Sequence, residues 1–184
     1  AKVLASDIVF SEIEDASSDK TLSLSIKESG NVILGYFFRD DSTQRPLPQA
    51  LKQIKSSKIS LVNLMEGASG EAGAVEFSGL EANIPSIGSN AAGFGSFNII
   101  PQKDGIYREA NLVYKYEGNL YPNLAVEALS KYYESPVILN IAEYGIDSIE
   151  IGGRRVPLDE GGALLLNFYG PGGTFTAYSA VDVM

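Results

Sequence analysis

Three sets of carboxylates come closest to a catalytic set by type and spacing: Asp7 with Glu12, Asp40 with Asp41, and Asp159 with Glu160. Two carboxylates suffice for general acid–base work or glycoside cleavage when they face one bond across a cleft. Pairs this close in sequence are as a rule solvated turn residues, and fold or composition alone assigns them no chemistry. Asp7 stands apart because it interrupts the apolar run Val3 to Phe10. A charge inside a buried strand is costly unless paired or hydrogen-bonded, and burial raises an acid's pKa. Asp7 is therefore expected to carry any acid response, with a structural ion pair or a strand-end position as the alternative. The chain has no His and no Cys. That excludes His-based triads, His metal sites, histidine pH sensing, thiol nucleophiles, zinc ribbons and disulfides.

The glycine-rich segments offer little more. Gly170-Pro171-Gly172-Gly173-Thr174 resembles a phosphate cradle, but Pro171 removes an N–H and no Lys follows, so turn chemistry explains it. Gly93-Phe94-Gly95 begins a dinucleotide fingerprint, but Asn98 stands where its third glycine belongs. Gly67-Ala68-Ser69-Gly70 is not a nucleophile elbow. The 10 Tyr and 8 Phe are expected mostly in the core, since no Trp is present to fill it.

The elements that would position these residues read as α/β: a single-domain mixed sheet with flanking helices and two β-hairpins. Val3 to Phe10 reads as a buried strand. A helix follows, with Ser17 or Ser18 as N-cap and Gly30 as its stop, and Val32 to Phe38 is a second buried strand. That order suggests a βαβ unit with parallel pairing. Pro46 to Ile54 reads as a short helix, Ile59 to Leu64 as a strand, and Glu66 to Ala74 as a mobile loop. The Asp104-Gly105 turn predicts a hairpin between Gly93–Ile100 and Ile106–Tyr116. Pro122 is expected to open a helix whose apolar face is Leu124, Ala128, Leu129 and Tyr132. Gly152-Gly153 predicts a second hairpin, after a strand at Val137 to Ile141, and Ala163 to Tyr169 reads as the last strand.

Composition bounds the function. The 184 residues suit one domain, and 45% hydrophobic with 20% charged residues is an ordinary globular mix. A chain of this length buries enough surface to need no disulfide or metal. The net charge of -9 leaves no basic footprint for nucleic acid or an anionic membrane. The longest apolar runs fall far short of the ~20 residues of a membrane span, and no signal peptide is expected in the chain.

Two stretches together resemble a known family. The first runs through Gly93-Phe94-Gly95-Ser96-Phe97-Asn98, Asp104-Gly105-Ile106-Tyr107-Arg108 and Tyr121-Pro122. The second runs through Val156-Pro157-Leu158-Asp159, Asn167-Phe168-Tyr169-Gly170 and Tyr178-Ser179-Ala180-Val181-Asp182-Val183. Their order and spacing resemble the CHASE domain of type two, the extracellular sensory module of bacterial receptors. The chain departs from the family pattern at Phe168-Tyr169, where Tyr-Arg is common. The resemblance implies one extracytoplasmic sensor domain over residues 1–184, with further elements of the module before Ala1 and after Met184, so truncation at both ends is expected. It also implies membrane helices outside this chain, an intracellular nucleotide cyclase, histidine kinase or serine/threonine kinase, and a homodimeric receptor. The implied partner is an unknown small-molecule or envelope signal.

Asn98, Arg108, Tyr121, Asn167 and Tyr169 are the candidate ligand-binding residues. Asp104, Gly105, Pro122, Pro157 and Asp159 are structural motif positions. No catalytic residue, metal ligand or cofactor is expected. Arg108 has two readings: a fork that binds an anionic ligand beside Asn98, or a tie to Asp104 across the Asp104-Gly105 turn. A carboxylate-dependent periplasmic or secreted hydrolase and a ligand-free dimerisation spacer are the rival functions. The hydrolase requires two carboxylates ~5–9.5 Å apart in a cleft. The sensor requires a pocket with few polar groups, and the spacer a large apolar interface.

Overall fold

The computed structural model describes residues 1–41 and 48–179. The chain opens with β1 (Leu4–Ser6), α1 (Ala16–Ser29) and β2 (Val32–Arg39). β1 and β2 pair in parallel, with Leu4 opposite Val32, so the βαβ unit forms as the sequence implies. Asp15 caps α1 by accepting from Ser18 N–H at 2.8 Å, which places Ser17 and Ser18 inside the helix. Gly30 ends it in the left-handed region at φ 64°, donating its N–H to Ile26 O. β1 is shorter than the apolar run predicts. Residues 7–10 leave the ladder, Ile8 is exposed, and Asp7 lies at the surface. The run is apolar because its far end packs down: Phe10 N–H donates to Asn83 Oδ1 and Phe10 lies against the core.

β2 is the spine of the first sheet. β1 and β6 (Gly93–Ser96) pair with its first half in parallel, and β5 (Gly79–Glu81) pairs antiparallel with its second half. Between them come α2 (Pro48–Lys55), β3 (Leu61–Leu64), β4 (Val75–Phe77), β5 (Gly79–Glu81) and α3 (Pro85–Gly88), before β6 (Gly93–Ser96). Of the expected Pro46–Ile54 helix, Pro46 and Leu47 lie outside the described residues. β4, β5 and α3 are three- and four-residue elements that carry no periodicity of their own.

The expected hairpin at Asp104-Gly105 does not form. β6 pairs with β2, whereas β7 (Glu109–Asn111) pairs with β13 (Ala163–Leu165). The turn itself is real: Gly105 has φ 78° and donates its N–H to Gln102 O at 2.8 Å. A tight turn fixes only its own four residues, and β2 offers β6 a longer apolar partner. β8 (Val113–Tyr116) and β9 (Asn119–Pro122) form a hairpin over Glu117-Gly118, and β4 adds to β8 in parallel. Pro122 therefore ends a strand rather than opening a helix. α4 (Leu124–Tyr133) starts after Asn123, whose side chain accepts from Val126 N–H at 2.9 Å.

The second large sheet has the order β12-β11-β10-β3, from β10 (Ile138–Ala142), β11 (Gly145–Ile151) and β12 (Arg154–Pro157). The Gly152-Gly153 hairpin joins β11 to β12, with both glycines at positive φ (58° and 73°) as a type I′ turn requires. β13 (Ala163–Leu165) ends four residues earlier than the sequence suggests, and Phe168 and Tyr169 are exposed. The α/β reading holds, with the strands divided among several sheets.

Two core clusters result. Phe38 is the hub of the first, its ring 5.2–6.1 Å from those of Tyr36, Phe77, Tyr114, Tyr116 and Tyr121. Aromatic pairs of this kind add roughly 0.5–1.5 kcal/mol each beyond burial. The second is aliphatic, with Val113, Leu139, Ile141, Ile146 and Ile149 fully buried and Val126 of α4 packed among them.

Candidate functional site

α4 packs onto β6 through glycine. A Cβ on Gly95 would fall 2.8 Å from Leu124 N and 3.0 Å from Asn123 C. The Gly-Phe-Gly of β6 is thus a packing device that lets helix and strand backbones approach, not a nucleotide loop. The close approach also buries the inward side of α4. The sequence predicts Leu129 and Tyr132 on that side, yet both are exposed, and Val126 and Glu127 are buried instead.

Glu127 is 6% exposed. Its carboxyl lies over the missing side chain of Gly93 and takes a hydrogen bond from the Ser57 hydroxyl. Ser57 Oγ in turn accepts from Phe94 N–H at 2.9 Å. Lys131, one turn along α4, holds its Nζ 3.9 Å from Glu127 Oε1 and is itself largely solvated. Burial pushes the Glu127 carboxyl up to about 6, against the opposing pull of Lys131 and the Ser57 bond. A cleft of about 260 Å³ opens beside it, lined by Ser57, Lys58, Ser60, Ser130, Lys131 and Pro136 among others.

On the core side the site meets tyrosines. The Tyr36 and Tyr121 hydroxyls are buried and have no hydrogen-bond partner among the described residues. Burial raises the Tyr36 phenol well above its ordinary value, with Tyr121, Glu127 and Tyr114 adding to the rise. Glu127 is therefore a buried proton-binding group with neutral phenols on one side and Lys131 on the other. Its charged neighbour is a cation, so the arrangement is not the facing carboxylate pair that glycoside cleavage needs. Asp147 shows the opposite tuning. Hydrogen bonds from Ser148, Tyr144 and Arg155 hold it down at about 2 on the outer sheet. Among the described residues no group of three or more acidic side chains gathers as metal ligands would.

The residues singled out by sequence fall in two places. Asn98 and Tyr121 lie at the Phe38 core. Asn98 Oδ1 accepts from Phe38 N–H at 2.7 Å and Nδ2 donates to Phe38 O at 2.9 Å, so its amide extends the β2 ladder past the end of β6. Tyr121 is fully buried, and its phenol is pushed up to about 12 by burial first and then by Glu117 and Tyr116. Arg108 and Asn167 lie at the end of the β7–β13 ladder, where Leu166 N–H donates to Arg108 O at 2.8 Å. Asn167 is exposed, and Tyr169 meets Phe175 edge-on at 6.2 Å between ring centroids.

Arg108 Nη1 donates to Asp104 Oδ2 at 2.8 Å and to Gln102 Oε1 at 2.7 Å, the tie across the turn. Asp104 also accepts from Ile106 N–H, and these bonds hold its carboxyl below the usual range. Pro157 ends β12 opposite Ser148. Asp159 Oδ1 gathers the N–H groups of Gly161 and Ala163 at 3.0 and 2.6 Å. Because the Arg108–Asp104 pair is solvated, Arg108→Ala is expected to lower the unfolding midpoint by only roughly 1–2 °C. A calorimetric drop several times larger would mean the turn organises more than itself.

Glu127 was legible only as a pattern. Leu124, Glu127 and Lys131 share one helix face, with a lysine four residues after the acid. That pattern reads equally as a solvent-facing ion pair, and only the approach of β6 turns it inward. The family model of the CHASE2 domain matches residues 1–184, the whole chain. No curated protein and no solved structure matches.

Proposed function

The chain belongs to the CHASE2 domain family, a family of extracellular sensor domains of signalling receptors rather than of catalysts, and from that premise we propose that it is the extracytoplasmic sensor of a membrane-bound bacterial receptor. In this proposal the output is a nucleotide cyclase or a kinase across the membrane, and the receptor works as a homodimer. No described helix is long and apolar enough to cross a membrane, so the proposal assigns the spanning segments to other parts of the receptor.

Glu127 is the observation that supports a sensing role best. A carboxyl with a pKa of about 6 sits where α4, β6 and the connection between α2 and β3 meet. A change in its charge, or a ligand in its cleft, acts on three elements at once. Local events of that kind become signals when the elements they touch have two arrangements.

The test is a thermal-shift screen of the chain against metabolite mixtures, run beside hydrolysis assays on nitrophenyl glycosides and esters. At least one mixture is expected to raise the midpoint by linkage, and no turnover above background is expected. Turnover that disappears in Glu127→Gln would replace the sensor with a carboxylate-dependent hydrolase.

A further inference from the structure

β3 is the open edge of the β12-β11-β10-β3 sheet, and its sequence is Leu-Val-Asn-Leu. The opposite edge is guarded in the usual way, by Arg154, Arg155 and Pro157 of β12. β3 has neither charge nor proline, and Leu61, Val62, Leu64 and the following Met65 are all exposed. A bare edge with apolar side chains is a template for another strand. Met65 N–H donates inward to Ile141 O at 2.8 Å. By strand alternation the N–H and C=O groups of Val62 and Leu64 then point outward. Among the described residues no group hydrogen-bonds to them across that edge.

The flanking charges choose the partner. Lys58 and Glu66 lie four residues either side of Val62, both are exposed, and neither has an ion-pair partner among the described residues. We propose that β3 is the seam of a symmetric homodimer in which two copies pair antiparallel about Val62. In that register Val62 faces Val62 of the partner copy, both with outward N–H and C=O groups. Leu64 faces Ser60 of the partner copy, and beyond the ladder Lys58, before β3, and Glu66, in the Met65–Ala68 turn after it, come to the same end of the seam from the two copies. Sliding by two residues either way keeps the hydrogen-bond parity but sets Lys58 against Ala68 or Leu64, so charge selects this register. The interface is isologous, as a two-fold dimer requires, and joins two four-stranded sheets into one. The inference does not rest on the sensor reading.

Since the chain has no Cys, single cysteines report the dyad cleanly. Two copies of residue 62 would stand about 5.5 Å apart between Cα atoms, within disulfide reach. Two copies of residue 64 would be separated by about 14 Å along the strands, beyond it. On oxidation Val62→Cys is expected to form the disulfide-linked dimer, and Leu64→Cys is expected to stay uncross-linked. In sedimentation experiments Lys58→Glu and Glu66→Lys should each raise the dimer dissociation constant about tenfold. The double reversal should restore it to within about twofold. The unfolding midpoint of Glu66→Lys, measured where the chain is monomeric, is expected to match the parent. A chain that stays monomeric at millimolar concentration overturns the proposal. So do equal cross-linking at both positions and a double reversal that fails to rescue.

Discussion

Asn98→Ala is expected to lower the unfolding midpoint by roughly 6–12 °C, the loss of about 3 kcal/mol for a chain of this size. The side-chain amide replaces a strand that is not there. It gives Phe38 both an acceptor and a donor, at 2.7 and 2.9 Å, and accepts from Ser96 Oγ at 2.7 Å. Alanine leaves the Phe38 N–H and C=O unmatched beside the ring that organises the aromatic core. Asn98→Asp is expected to fail as well, because an oxygen would then face the Phe38 carbonyl. Calorimetry on both variants without ligand checks the prediction. Two variants that melt with the parent would show that the amide is free for a ligand after all.

Glu127→Gln is expected to stabilise the domain at neutral pH and to leave it unchanged near pH 4. The folded-state pKa is raised from 4.5 to about 6, so between those values the native state binds more protons than the unfolded one. Stability therefore falls as pH rises through that window, and the ionised carboxylate costs about 2 kcal/mol above it. Glutamine removes that penalty while keeping an acceptor for Ser57. The expected gain is roughly 4–8 °C at pH 7.5, shrinking to nothing below pH 4.5. The groups facing Glu127 are Lys131 on its own helix, Ser57 before β3, and Tyr36 on β2. None of the three titrates between pH 4 and 7.5 in free solution, so the window belongs to Glu127. A gain independent of pH would mean that packing, not charge, is responsible. Asp7→Asn, the change that the apolar run around Asp7 would favour, is expected to do nothing in the same experiment, since Asp7 is exposed.

Features set by a few adjacent residues were determined by the sequence itself. Gly152-Gly153 forms its hairpin because two successive positive-φ positions admit little else. Gly30 stops α1 for the same reason, and strand, helix and strand in that order close into a parallel unit. The ordered motifs from Gly93 to Val183 were also sufficient to recognise the family that the whole chain matches. Partners distant along the chain were not legible. Asp104-Gly105 turns as expected, but β6 goes to β2 and β7 goes to β13, because pairing energy is decided by whichever strand arrives. The same holds for the candidate site. Glu127 and Lys131 look like a solvated pair on one face of α4. Only the two glycines of β6, 32 to 34 residues earlier, let the helix come close enough to take the carboxylate out of water. Desolvation depends on what covers a group from outside its own segment, and tertiary packing alone supplies that cover.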